Sequence, residues 1–368
     1  MTVRAALLEA ADQPLVVRDD VEIEEPRAGE VLVRVSHCGV CHSDLSLVNG
    51  TFPFMGPVVL GHEAAGVVEA IGPGVTTVAP GDKVVLTPVP PCNACYWCLR
   101  GEYGCCVNAA SIMTGTLADG RTPLSREGVP VLRGVGLGAF AELVITPESG
   151  AVKVAEDTPL EVACVIGCAV QTGVGAVLNT ARVEEGATVL VVGAGGVGIA
   201  IAQGARIAGA ARIIVSDPVA ERRERALGFG ATDVVDPTAT DLVAAVHDCT
   251  GGIGVDYAFE AVGRAALVEA CLAASRSGGT TVMVGVGGLD ETLDLGVPAM
   301  FTLTERKLMG SLLGGCNGRR DIPRLLALWR AGRLDLEGMI TDRRPLDGVN
   351  EAMADLTAGR GLRSVLEL

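Results

Sequence analysis

The sequence predicts an α/β protein in two parts, a β-rich region followed by a parallel, doubly wound sheet, and three observations carry that reading. Residues 1 to about 165 hold short runs of β-branched residues separated by Pro, Gly and Asp. From about residue 170 apolar strands alternate with stretches of helical spacing. At the start of that alternation, TVLVVGAGGVG runs from a strand into a glycine-rich turn.

The chain has 368 residues, more than one hydrophobic core usually covers. Hydrophobic residues make up 49% and charged residues 20%, too apolar a mixture for a disordered chain. Net charge is −15, and no run of Lys or Arg stands out. A nucleic acid or an anionic membrane surface is therefore not expected as a partner. The first twenty residues lack the apolar core and small-residue cleavage site of a secretory signal. A cytoplasmic location is expected, and there clustered cysteines read as metal ligands before they read as disulfides.

In the first region, VLVRVSHCGV, AAGVVEAIG, KVVLTPV and AELVIT are the expected strands, arranged as a barrel or sandwich. The stretch from Ser111 to Gly138 is expected to be a variable surface element. In the second region, IAIAQGARIAGA and ERRERALGFGA have helical spacing. ARIIVSD, TDVVD, VDYAFEAVG and GGTTVMVGVGG read as strands, and RSVLEL as a last one.

Gly193, Ala194, Gly195, Gly196, Val197 and Gly198 fit G-x-G-x-x-G. The pattern alone is weak, but here it follows a strand and opens a helix. The first glycine permits the sharp turn, the second lets backbone approach a pyrophosphate, and the third lets helix and strand pack closely. The helix N-terminus then offers free N–H groups to the phosphates. Asp217 ends the next strand, 19 positions after Gly198, where a carboxylate receives the adenosine ribose hydroxyls and repels a 2′-phosphate. This predicts NAD(H) over NADP(H).

Two groups of soft ligands follow from position. Cys92, Cys95 and Cys98, with Cys105 and Cys106 after them, place five of twelve cysteines in one short stretch. Four thiolates would close a structural zinc site, which leaves one cysteine spare. Elsewhere, three of the four histidines fall between His37 and His62, near Cys38 and Cys41. Cys164 and Cys168 lie just before the α/β region. A zinc with mixed Cys and His ligands and one open position is a catalytic arrangement.

GVCHSD, GHEAAG, C-x-x-C-x-x-C-x7-C, IGC followed by QTG, and GAGGVG stand in the order seen in zinc-dependent alcohol dehydrogenases of the medium-chain dehydrogenase/reductase family, and the chain resembles that family over nearly its whole length. The resemblance implies a GroES-like catalytic domain over residues 1–170, with 311–368 returning to it, and a Rossmann NAD-binding domain over 171–310. Substrate and nicotinamide would lie in the cleft between them. Cys41, His62 and Cys168 match the catalytic zinc ligands. Glu63 matches a carboxylate that can transiently join them, and Asp44 the acid that bonds the His62 ring. Ser43 matches the hydroxyl that takes the substrate's proton. His42 and Arg363 match pyrophosphate contacts, and Arg222 a basic residue near the adenosine ribose. Thr172 and Val262 match positions around the cofactor, and Val284, Gly285 and Val286 the segment facing the carboxamide. Family spacing places the fourth structural ligand at Cys106. Cys38, Cys164 and His37 match no ligand position.

One departure concerns the proton relay. Many members carry a His three residues beyond the relay hydroxyl, and Ser46 stands there. The implied activity is NAD-dependent hydride transfer to and from a small alcohol, aldehyde or ketone, in a homodimer or homotetramer holding two zincs per chain. Two alternatives belong to the same family, a thiol-adduct formaldehyde dehydrogenase and a conjugated-alkene reductase. A regulatory or structural protein that binds zinc and NAD is the non-enzymatic alternative.

Overall fold

A computed structural model describes residues 1–368. The chain divides into two compact units. One comprises Met1–Ala169, Asn317–Gly332 and Leu336–Leu368, the other Val170–Cys316 and Arg333–Asp335.

In the first unit a closed barrel runs in the order Thr2–Leu8, Val16–Ile23, Leu124–Arg126, Val129–Arg133, Val58–Val59. A second sheet is built on Glu30–Gly39, which pairs antiparallel with Glu63–Ile71, Leu143–Pro147 and Arg363–Glu367. Leu7, Leu32, Leu60, Leu86 and Phe140 are fully buried in the shared core. Removing them from water supplies the main stabilisation, about 1.5–3 kcal/mol for each large apolar side chain.

The four strands expected in this region all form. The stretch from Ser111 to Gly138, expected at the surface, instead supplies two barrel strands. Leu124, Val131 and Leu137 are buried there. The hairpin is closed by Glu127 and Gly128, both with positive φ, between the paired Arg126 and Val129. A two-residue turn of that kind matches the twist of its strands. Glu is an unusual first residue for it, so the turn is easily overlooked.

In the second unit six parallel strands run in the order Asp233–Val235, Arg212–Ser216, Thr188–Val192, Val255–Glu260, Ser275–Met283, Lys307–Gly310. Taken in chain order this is 3-2-1-4-5-6, the doubly wound dinucleotide-binding arrangement. Leu190, Ile214, Val255 and Ala258 form the core of this sheet, with Cys271 and Ala274 packed on it. No single helix is long and apolar enough to cross a membrane.

Candidate active site

Cys41 precedes the short helix His42–Val48, His62 precedes the strand Glu63–Ile71, and Cys168 follows a helical turn. Their ligand atoms lie within 4.8 Å of one another. Asp44 organises two of the three. Its Oδ2 accepts the Cys41 N–H at 3.1 Å, and its Oδ1 accepts the Gly61 N–H at 2.8 Å and the His62 Nδ1–H at 3.0 Å. Asp44 and His62 are buried, so little competes with these bonds. The His62 Nδ1–H is thereby committed, and Nε2 is left buried with no partner. Such an orphan is expensive unless something occupies it. A nitrogen lone pair beside two thiols suits zinc.

Burial disfavours a charged His62, but the Asp44 carboxylate overrides it and raises the ring's pKa well above the usual value, so a metal would bind Nε2 by displacing its proton. A hydrogen bond from Cys168 draws the Cys41 pKa well down against the effect of burial, with Arg363 helping. The Cys41–Cys168 pair therefore favours a thiolate at Cys41.

Glu63 is not among the donors brought together. Its Oε1 accepts the Ala169 N–H at 2.9 Å, and its Oε2 lies 3.3 Å from Arg363 Nη1. Burial raises its pKa to about 7, with Arg363 opposing. In this geometry Glu63 is an ion-pair partner, not a ligand. Gly39 makes room for it, since a Cβ there would lie 2.3 Å from Glu63 Oε2. Arg363, matched to a pyrophosphate contact, is buried, and its Nη1 donates to the Val40 carbonyl at 2.6 Å. It holds the wall of the metal-ligand cluster. Ser43 Oγ stands 4.0 Å from Cys41 Sγ. Ser46 Oγ donates to the His42 carbonyl at 3.0 Å, a bond within its own helix that turns it away from any relay. His42 is exposed.

The sulfurs of Cys92, Cys95, Cys98 and Cys106 also lie within 4.8 Å of one another, and Cys105 is exposed outside the group. Of the two adjacent cysteines, Cys106 is the one whose sulfur joins this group. Backbone N–H groups point at the sulfurs, Cys92 N and Asn108 N at Cys106 Sγ and Cys95 N at Cys92 Sγ. Such donors stabilise thiolates, and backbone donors lower the Cys95 pKa to about 6.

In the second unit Gly193 has φ +93°, and a Cβ there would strike Val262 at 2.7 Å. A Cβ on Gly198 would lie 1.7 Å from the Gly193 carbonyl oxygen, so helix Gly196–Ala208 packs directly on the turn. The cradle suits a pyrophosphate. Asp217 is buried, its Oδ2 accepting the Ala194 N–H at 2.8 Å and its Oδ1 the Val219 N–H at 2.8 Å. Each oxygen keeps a further lone pair for a ribose hydroxyl. Arg222 is half-buried, and Val262 and Val286 are exposed while Thr172 and Val284 are buried.

Comparison with known proteins decides the family. Residues 27–156 match the alcohol dehydrogenase GroES-like domain, and residues 196–331 the zinc-binding dehydrogenase domain. Alcohol dehydrogenase B of Mycobacterium tuberculosis is 37% identical over 100% of this chain and 98% of its own. The NDMA-dependent alcohol dehydrogenase of Amycolatopsis methanolica is 38% identical over 100% and 99%. Among solved structures, benzyl alcohol dehydrogenase from Acinetobacter calcoaceticus superposes with TM-score 0.94 at 30% identity, covering 100% of this chain and 99% of that one. The chain belongs to the zinc-dependent alcohol dehydrogenases of the medium-chain family.

It is an oxidoreductase, and membership implies zinc and a nucleotide cofactor. The residues present fit both. His62 Nε2 makes no hydrogen bond of ordinary geometry and lies close to the Cys41 and Cys168 sulfurs, and the Gly193–Gly198 cradle excludes any Cβ at its two tight positions. Three residues that contact the candidate site residues or their segments went unnoticed in the sequence. Gly39 is visible only through its register opposite Glu63. Arg223, next to the matched Arg222, donates to the Asp217 carbonyl at 2.7 Å. Glu260 ends the strand VDYAFE, and an acid closing an apolar parallel strand was the available signal.

Proposed function

We propose that this dehydrogenase transfers hydride between a small alcohol or carbonyl compound and NAD(H), with one catalytic and one structural zinc per chain. The buried, partnerless His62 Nε2 beside Cys41 and Cys168 carries the reading. Zinc held by Cys41, His62 and Cys168 would polarise the substrate oxygen and lower its pKa, while bound NAD+ would accept hydride. The chain's own residues do the rest. Asp44 fixes the His62 ring so that Nε2, not Nδ1, faces the cluster. Ser43 Oγ takes the substrate's hydroxyl proton and passes it outward. Ser46 is tied to its own helix, so the relay leaves Ser43 by water or His42. Asp217 receives the adenosine ribose hydroxyls.

Cys92, Cys95, Cys98 and Cys106 would hold the second zinc with no position left open. None of the twelve cysteines is in a disulfide, which suits a reducing cytoplasm. Self-association is proposed through the edge of the parallel sheet. Lys307–Gly310 ends the strand order, and in the chain segment leading into it Leu289, Val297 and Leu303 are exposed at 70%, 64% and 76%. An unpaired edge beside apolar surface of that kind favours a second copy.

Metal analysis together with NADH absorbance against primary, secondary, benzylic and terpenoid alcohols tests the assignment. Two zincs per chain and NAD-linked turnover are expected. One zinc, or turnover only on a conjugated alkene, would sink it.

A further inference from the structure

Glu260 closes the strand Val255–Glu260, inside the parallel sheet between Thr188–Val192 and Ser275–Met283. Its side chain is fully buried. An apolar residue would fill the position without the cost of desolvating an acid. Its bonding shows what that cost supports. Oε1 accepts the N–H groups of Val262 and Gly263, each at 2.8 Å. The Glu260 carbonyl accepts the N–H groups of Val284 and Gly285, each at 2.9 Å. Ala261 N–H donates to the Val192 carbonyl, one residue before the glycine turn, at 2.9 Å.

Glu260 and the Ala261 that follows it therefore join three segments at the C-terminal ends of neighbouring strands. The spacing it sets has no slack. A Cβ on Gly285 would lie 2.2 Å from the Gly263 nitrogen, and one on Gly263 would lie 2.6 Å from the Val286 carbonyl. The Val262 and Gly263 hydrogen bonds to the carboxylate both fall on Oε1, and Oε2 is buried. Burial raises the carboxyl pKa, with the Gly263, Val262 and Arg264 amides opposing.

We infer that Glu260 is a positioning residue for the nicotinamide end of the cofactor, locking segments 261–263 and 284–286 at the spacing that receives it. The inference rests on the NAD(H) reading above. Glu260 itself touches neither substrate nor cofactor. It acts through the backbone of Val262, Val284 and Gly285, and it needs an acceptor at Oε1 rather than a charge.

Three variants of the full chain test it, E260A, E260D and E260Q, with NADH affinity from fluorescence titration, the KM for NAD+, kcat, zinc content and thermal midpoint. E260A and E260D lose the reach to two amides. Their NADH affinity falls by roughly tenfold or more, with two zincs retained. E260Q keeps an acceptor at Oε1 and recovers most of that loss. A purely structural role would lower the thermal midpoint of E260A and leave NADH affinity at the wild-type value, which overturns the inference. So does an E260Q that falls as far as E260A, because charge would then be the requirement. If E260A fails to fold, E260D against E260Q decides. If the wild type prefers NADPH, the NAD(H) reading fails, and the same variants titrated with NADPH still judge Glu260.

Discussion

Replacing Asp44 by Asn isolates the group that orients the metal ligands while leaving every ligand atom in place. The wild-type carboxylate accepts three hydrogen bonds, from Gly61 N, His62 Nδ1 and Cys41 N. An amide has one oxygen and one NH2. If the oxygen keeps Gly61 and His62, the NH2 faces the buried Cys41 N–H and leaves that donor unmet. If the amide flips, the NH2 points at Gly61 N–H and His62 Nδ1. The ring must then move its proton to Nε2, the atom needed by the metal. An unmet buried donor costs about 1–3 kcal/mol. That converts to roughly 5- to 150-fold, which brackets the roughly 10- to 100-fold typical when the partner of a ligating His is lost. Affinity at the Cys41–His62–Cys168 site should therefore fall about 10- to 100-fold. The four-cysteine site shares no residue with Asp44 and should be untouched. Zinc content after dialysis against a chelator should drop from two per chain towards one, with turnover falling in proportion. A D44N protein that keeps both zincs under chelator and turns over normally would refute the reasoning.

Other substitutions separate the remaining roles. Cys106→Ser should lose the structural zinc and lower the thermal midpoint, whereas Cys105→Ser, at an exposed position outside the cluster, should leave both unchanged. Equal behaviour of the two in metal analysis and a melting scan would undo the choice of Cys106. Ser43→Ala should lower kcat by roughly 10²- to 10⁴-fold while zinc content and NADH affinity hold, as expected for loss of a proton acceptor. Unchanged kcat in steady-state assays would remove Ser43 from the relay. Asp217→Ser should shift the NAD+/NADP+ ratio of kcat/KM towards NADP+ by at least about tenfold, because the carboxylate facing a 2′-phosphate is gone. A ratio equal to the wild type's would show that Asp217 does not read the ribose.

The parts that were legible in the sequence are those in which chemistry and spacing lie close together along the chain. The glycine turn is one short stretch, and its demands on Gly193 and Gly198 are local, a positive φ and a helix packed on a carbonyl. The four-cysteine lobe is equally local, though adjacent Cys105 and Cys106 cannot be told apart until the backbone shows which one turns inward. Cys41, His62 and Cys168 are far apart in sequence, and the resemblance to a family, not periodicity, joined them. Contacts set by strand register stayed out of reach. Glu63 sits in the wall of the metal-ligand cluster because Gly39 lies opposite it and has no side chain, and because Arg363 arrives from the far end of the chain beside Val40. No spacing rule links residues 39, 63 and 363. The consequence reaches the chemistry, since a Glu63 held by Arg363 and the Ala169 N–H must break the first of these contacts before it can approach a metal. Its service as a transient ligand is therefore coupled to movement of Arg363. Releasing that contact by Arg363→Leu should free Glu63, leave its charge uncompensated in a buried site, and raise its pKa further above about 7. A pH profile of zinc retention that shifts upward in the variant supports the coupling, and an unmoved profile excludes it.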